Sequence, residues 1–478
     1  MNGPLLPDLS RPDEQRLIPG EEHFPDDLLS NLRMLARING PLPERAPYTG
    51  PAALIDDSIF SDTGLSHLLF SEGRSLLRER FVIRDLPPRD GKGPRVLLDP
   101  EGELEVARQE FCRFDSYDHF GLAQDPRVKQ VAAEALMQFG YQSGAGRFTG
   151  GSHVLHRETE HALASFLGKR DAFVATTGSV ANMAVVCGLA LADEQTFFLS
   201  EQANHESIKF GIDGSRLPRT NLGVYRHVDM ADLREKIAAI PGGINQLVVI
   251  SDGVFGGTGE VVPLNELVAV ARAFESRFSR GVRIVIDDSQ GIGILGASGR
   301  GTQEHWGQFD VDVITGSLNK ITGLEGGVIT GSKKLVDQIV RGSVPSVFTG
   351  ALPFPACGGI LASLHLMQSA EGGNWREKVH ENTGYFRERL EANGFQTIIG
   401  PTGVVPLEGY SDLDLQFFAY HLLEKGILAS TFRYPLMPEN NGVIRFQIRR
   451  DHTRLDLEEA IEALKYGREQ LERRGRIA

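Results

Sequence analysis

Cysteine is scarce in this chain. Three occur in 478 residues, Cys112, Cys187 and Cys357, far apart and without a CxxC pair or histidine-rich company. That scarcity excludes a disulfide framework, offers no spacing that would hold zinc, and fits a reducing, cytoplasmic setting. Long hydrophobic runs are missing too. No stretch reaches the roughly 18 uninterrupted apolar residues of a membrane-spanning helix. The opening "MNGPLLPDLSRPDEQRL" has no basic segment followed by an apolar one, so neither export nor a membrane partner is expected. Positive charge is also short, with a formal net charge of −13. A general phosphate-backbone binder draws its affinity from counterion release by Lys and Arg, so no nucleic-acid partner is expected. What remains is the composition of a soluble globular protein, 41% hydrophobic and 24% charged, long enough for one large core and a second unit.

Eight of the 24 prolines fall within the first 50 residues and set that region apart. The spacing of Leu28, Leu32 and Leu35, with Asn39-Gly40 as a stop, predicts one helix there. Asp57-Ser58-Ile59 loosely resembles the attachment site of acyl-carrier proteins, but no helical bundle surrounds it, and it reads as a turn or helix cap. From about residue 115, short apolar runs ("DAFVAT", "TFFLS", "QLVVIS", "RIVID", "VDVITG") alternate with helical stretches such as "SVANMAVVCGLALA" and "PLNELVAVARAFESRF". This alternation predicts an α/β fold, a mostly parallel sheet covered by helices on both faces. After about 340 come helices, then "GVIRFQIRR" as a strand and "DLEEAIEALKYGREQLERR" as a helix. The expected division is an amino-terminal extension and arm over 1–95, a large α/β domain over 96–345, and an interdomain helix with a small α+β domain over 346–478. No internal repeat is found.

The run "RIVIDDSQ" ends a buried strand in two carboxylates, Asp287 and Asp288. A buried charge is costly unless paired, whereas open α/β sheets bind ligands outside the carboxyl ends of their strands. Lys320 follows "VDVITG" in a glycine-punctuated turn, crowded by Gly316, Ser317 and Gly323, where a carbonyl compound can condense with its amine. In "ATTGSVANMA", Thr177-Gly178-Ser179 joins a strand to a helix and aims backbone N–H groups at any anion lodged there. His205 in "SEQANHESI" follows another strand and offers a flat ring. Phosphate cradle, flat neighbour, carboxylate and imine-forming lysine are together what pyridoxal 5′-phosphate requires.

In order along the chain, "GAGRFTGGSHVLHRETEHALASFLGKRDAFVATTGSVAN", "NHESI", "SDGVFGGTGEVVPL", "DDSQGIGILGASGRGT", "TGSLNK", "FTGALP" and "FRYPLMP" resemble the α-oxoamine synthases. These are fold-type I pyridoxal-phosphate enzymes, and the likeness runs from about residue 95 to the end. The resemblance implies a large domain with a mostly parallel seven-stranded sheet, a smaller carboxyl-terminal domain, and a homodimer with shared active sites. It implies condensation of a small amino acid with an acyl thioester, on coenzyme A or a carrier protein, with decarboxylation. By position, Lys320 would carry the cofactor as an imine, Asp287 would pair with the pyridine nitrogen, and His205 would stack on the ring. Gly178, Ser179, Val180 and Ser317 would serve the phosphate, with Thr349 reaching it across the dimer interface. Arg433 would hold the amino-acid carboxylate. Asp288 reads as a local structural acid. Three positions depart from the family pattern. Gln290 stands where histidine is usual, at the cofactor and the reacting acyl group, and glutamine cannot carry a proton near neutral pH. Gly256 replaces a serine, and "SYDHFGL" places Asp118 at the acyl-donor entrance. These departures leave open a related carbon-carbon bond-forming or cleaving enzyme with another electrophile, and a catalytically silent cofactor-binding regulator.

Overall fold

The computed structural model describes residues 81–86, 91–100, 110–398, 400–432, 441–473 and 475. The helix expected near Leu28–Leu35 and the Asp57-Ser58 turn lie outside them. Strands β1 (Phe81–Asp85), β2 (Arg95–Pro100) and β3 (Glu110–Arg113) come first. The main sheet follows, with β4 (Asp171–Ala175), β5 (Thr196–Glu201), β6 (Leu222–Tyr225), β7 (Gln246–Asp252), β8 (Val282–Asp287), β9 (Val313–Ser317) and β10 (Gly327–Gly331). Its order is β4-β10-β9-β8-β7-β5-β6, a seven-stranded sheet in which β10 alone runs antiparallel to its neighbours.

Helices cover both faces, which is why the central strands are continuous apolar runs rather than alternating ones. Successive side chains divide between the faces. Val249, Ile284, Ile286 and Ile314 point into one apolar cluster with helices 154–167, 264–272 and 354–367. Val248, Ile250, Val285 and Val313 point into another with helices 178–191 and 333–341. Where those last two helices touch, a Cβ on Gly188 would strike the backbone of Ile339, so glycine sets their close approach.

A smaller α+β unit follows. Its antiparallel sheet joins β11 (Val404–Tyr410), β14 (Gly442–Gln447) and β13 (Ser430–Phe432), packed by helices 412–424 and 454–473. The short β12 (Ile427–Leu428) pairs in parallel with β3 and completes the sheet β1-β2-β3-β12. The apolar cores therefore divide the chain differently from boundaries at 95 and 345. Val96, Phe111, Cys112 and Phe114 are buried with Phe386, Phe418 and Phe446 in the small unit, while Phe354, Cys357, Ile360 and Leu364 belong to the large core. Helix 370–392 joins the two, burying Trp375 and Val379 in the large core and Phe386 and Leu390 in the small one. All three cysteines are free. Among the described residues no helix is long and apolar enough to cross a membrane.

Phe114 is fully buried against the rings of Phe446, at 5.4 Å, and His452, at 4.2 Å. Phe114→Ala is expected to destabilise the protein by about 3–5 kcal/mol, from lost burial plus the cavity left behind. Denaturant unfolding measures it, and a loss below about 1 kcal/mol would show that this strand is not integral to the small unit's core.

Candidate active site

The parallel strands bring their carboxyl ends to one edge, and there the structure gathers Lys320, Asp287 and His205. Asp287 ends β8 and is 5% exposed. Its carboxylate accepts from Asn182 Nδ2 at 2.6 Å, from the Ser289 N–H at 3.0 Å and from Ser289 Oγ at 2.5 Å. Thr315 Oγ1 donates to Asn182 Oδ1 at 2.6 Å, and the Ser317 N–H donates to Ser289 Oγ at 2.8 Å. Strands β8 and β9 and the start of helix 178–191 are thus laced together around one carboxylate.

Asp288 does different work. It is fully buried and accepts from the Thr302 N–H at 2.7 Å and Thr302 Oγ1 at 2.5 Å. Burial pushes its pKa up to about 7, with the Thr302 hydrogen bonds opposing. A Cβ on Gly253, Gly291 or Gly301 would strike this carboxylate, so three chain segments close over it.

His205 caps helix 206–214. Its Nδ1 accepts from the Ser207 N–H at 3.3 Å, and its backbone N–H donates to Asp252 Oδ1 at 3.3 Å. Its pKa is lowered by the protein packed around it; Asp287 opposes this and Lys320 adds to it. Asp252 lies beside Asp287 across the β7–β8 register, and burial followed by the Asp287 charge pushes its pKa well up.

At the start of helix 178–191, a Cβ on Gly178 would fall 2.5 Å from Ser317 Cβ, so glycine lets the helix end close onto the β9 terminus. Ser179 is exposed in this first turn. Val180, expected at the phosphate, already gives its N–H to Thr177 Oγ1 at 3.0 Å. Ser317 Oγ donates to Asn319 Oδ1 at 2.7 Å.

Lys320 is half-buried in the turn after β9, its Nζ 5.3 Å from the ring centre of Tyr117. On that ring's other attachments sits Arg445, 3% exposed, whose Nη2 donates to Tyr117 Oη at 2.6 Å and Nη1 to the Gly256 carbonyl at 2.5 Å. Arg445 Nε is buried without a partner, and among the described residues no carboxylate pairs with this guanidinium. Burial raises the Tyr117 pKa, but the charges of Arg445 and then Lys320 outweigh it and leave it lowered. Gln290 is 4% exposed with Oε1 unpartnered. A Cβ on Gly256 would come 3.5 Å from Gln290 Nε2 and 3.9 Å from Arg445 Nη1, so the missing side chain leaves room between them.

Other expected positions fall elsewhere. Asp118 is 8% exposed, and its oxygens accept from the Leu122 N–H at 2.9 Å and the Ala123 N–H at 3.0 Å, closing a turn. Its neighbour Tyr117 is the residue at the cluster. Thr349 lies beside Gly146, where Gly146 and Gly350 form a bridge, next to Phe348, which is 81% exposed. Arg433 lies outside the described residues. Sequence reasoning missed Tyr117, Asn182, Ser289, Asp252 and Arg445. The period-two pattern of "GVIRFQIRR" put Arg445 on one face of a strand without saying which face met the cluster.

The residues present fit pyridoxal phosphate: an anchoring amine, a carboxylate held for a ring nitrogen, a flat histidine ring, and a helix start opened by Gly178 for an anion. The protein-family model for aminotransferase class I and II matches residues 112–464. The 8-amino-7-oxononanoate synthase of Citrifermentans bemidjiense is 33% identical over 394 residues, covering 82% of this chain and 96% of that one. The enzyme of the same name from Thermoanaerobacter pseudethanolicus is 30% identical, covering 81% and 94%. A serine palmitoyltransferase from S. paucimobilis, solved with a bound PLP–myriocin aldimine, superposes with a TM-score of 0.75 at 22% identity, covering 87% of this chain and all of that one, which establishes the shared fold. The chain thus belongs to the aminotransferase class I and II family, in its α-oxoamine synthase branch.

Proposed function

We propose that this enzyme uses pyridoxal 5′-phosphate to condense a small amino acid with an acyl thioester, releasing carbon dioxide and the thiol and leaving an α-aminoketone. The observation that carries the reading is Lys320 in the turn after β9, beside the Tyr117 ring that also meets the uncompensated guanidinium of Arg445, with the donor-held Asp287 at the end of the neighbouring strand β8. When bound, the cofactor supplies an electron sink for charge developing at the substrate α-carbon. Lys320 anchors it, and its amine moves the α-proton once the amino acid has taken its place. Asp287, held by Asn182 and Ser289 so that it does not turn away, would pair with the ring nitrogen. His205 would stack on the ring. Gly178, Ser179 and Ser317 would hold the phosphate at the helix start.

Arg445 takes the amino-acid carboxylate. A buried guanidinium without an acid partner is costly, and a bidentate carboxylate offsets that cost with charge-assisted hydrogen bonds. Gln290 hydrogen-bonds the acyl oxygen without donating a charge to it. A homodimer is supported by exposed apolar residues gathered on one side, among them Met137, Tyr141, Phe148, Val344 and Phe348. The segments carrying them are tied side by side by the Gly146–Gly350 bridge and by the Phe354 N–H donating to the Tyr141 carbonyl. Such a patch marks an interface, and Thr349 within it reaches the partner's phosphate in this reading. Three free cysteines are in keeping with the cytoplasm.

The direct test is to supply cofactor, candidate amino acids and acyl thioesters and to measure thiol and carbon dioxide together. Release of both in equal amounts is expected, and release of neither with any pair sinks the reading. Borohydride reduction of the loaded enzyme followed by peptide mapping is expected to mark Lys320; a mark on another lysine overturns its role.

Arg445→Gln is expected to raise the KM for the amino acid about 100-fold, the scale of a lost charge-assisted pair, with a smaller change for the thioester. Arg433→Gln is expected to change it little. The reverse result returns the carboxylate to Arg433.

Gln290 and Gly256 together favour a second reading, in which the electrophile is not an ordinary acyl thioester. Gln290→His is expected to lower turnover if the neutral amide serves that electrophile, because an imidazole changes both the shape and the charge of the contact. Unchanged or faster turnover would count against specialised adaptation here.

A further inference from the structure

A second constellation stands beside the active site and takes no part in the steps above. Glu201 ends β5, His227 lies two residues past β6, and Glu260 sits in the loop after β7. His227 Nδ1 lies 2.6 Å from Glu201 Oε1, and its Nε2 lies 2.9 Å from Glu260 Oε2. Both ring nitrogens face carboxylates, so only the doubly protonated ring donates to both. The Phe255 ring packs edge-on against the imidazole at 4.5 Å.

Each carboxylate leads to a different part of the site. Glu201 has a fully buried side chain and also accepts from the Ala203 N–H at 2.5 Å and the Val228 N–H at 3.1 Å. It thereby fixes the segment that delivers Asn204 and His205. Glu260 is partly exposed, and its backbone carbonyl takes the Phe255 N–H at 2.9 Å, closing the loop whose Gly256 carbonyl holds Arg445. Val228 sits at φ +54°, a left-handed conformation that a β-branched residue adopts only when its surroundings impose it. Its N–H is the one that Glu201 accepts.

We propose that His227 is a positioning residue for the reaction: its imidazolium ties the loop carrying His205 to the loop carrying Gly256, and so holds the cofactor-facing ring and the Arg445 anchor in register. The proposal rests on the assignment of His205 and Arg445 given above. The groups facing the ring are Glu201 from β5, Glu260 from the loop after β7 and Glu408 from β11, with the Tyr225 hydroxyl beside Glu201. Burial disfavours the charged ring, but the hydrogen bonds and charges of Glu201 and Glu260 outweigh it and raise the His227 pKa to about 9. Because the pKa lies above the ordinary 6.5, the tether is complete below that pH and is lost as pH rises through about 9.

The test compares the loaded parent enzyme with Glu260→Gln and His227→Gln. Nitrogen-15 NMR of labelled histidine rings reads the His227 charge directly. The parent ring is expected to stay doubly protonated to near pH 9, and in Glu260→Gln to titrate about one pH unit or more lower. The alkaline fall in kcat/KM for the amino acid is expected to move down with it. In His227→Gln, kcat/KM is expected to drop about 10- to 100-fold, the scale of a misplaced anchor, with faster amide exchange in 202–205 and 253–261 together. A neutral ring at pH 8 in the parent, or superimposable pH profiles in the parent and Glu260→Gln, overturns the proposal. Should His227→Gln fail to fold, Glu260→Gln decides, since Glu260 is partly exposed. If no amino acid and thioester pair reacts, the reaction assignment fails, while the ring titration and the paired exchange of the two loops still decide whether the tether exists.

Discussion

Keeping one buried carboxylate supplied with hydrogen-bond donors is the constraint on which this edge of the sheet depends. Asp287 sits where a long apolar strand runs out, and its oxygens are met by Asn182 from a helix and Ser289 from its own turn. Each donor is itself held, Asn182 by Thr315 and Ser289 by Ser317. The consequence reaches beyond the acid. The same hydrogen bonds fix the end of β9, and the end of β9 fixes the turn that presents Lys320.

Two adjacent acids with opposite fates show how local position is divided between chemistry and construction. Side chains alternate along an extended segment, so Asp287 and Asp288 leave the chain in different directions. One meets the open edge. The other enters a closed space where Thr302 and the bare backbones of Gly253, Gly291 and Gly301 surround it. The pair Tyr117 and Asp118 repeats the pattern, with the phenol at the lysine and the carboxylate holding a turn.

Much of this was legible in the sequence. The strands "QLVVIS" and "RIVID" are buried on both faces, which makes them readable as unbroken apolar runs, and Lys320, Asp287 and His205 are readable because each follows such a run by a few residues. Pairing between distant segments was not legible: β3 meets β12 across about three hundred residues, so nothing local placed Phe111 and Phe114 in the carboxyl-terminal unit. Arg445 and Asn182 were hidden for a related reason. Their significance lies in which partner the fold brings to them, and a lone arginine in a strand or asparagine in an apolar helix carries no sign of that.

Helix 370–392 passes from one apolar core into the other without a break. A helix bends at identifiable places, and the junction at residues 380–385 holds Gly384 beside Thr383, whose Oγ1 donates to the Val379 carbonyl at 2.7 Å. That junction is where the rod leaves the core that seats Trp375 and Val379 and enters the one that seats Phe386 and Leu390. The two units also cannot be parted by cutting the chain at any one place, because Val96, Phe111 and Phe114, which precede the large unit, are buried in the core of the small one.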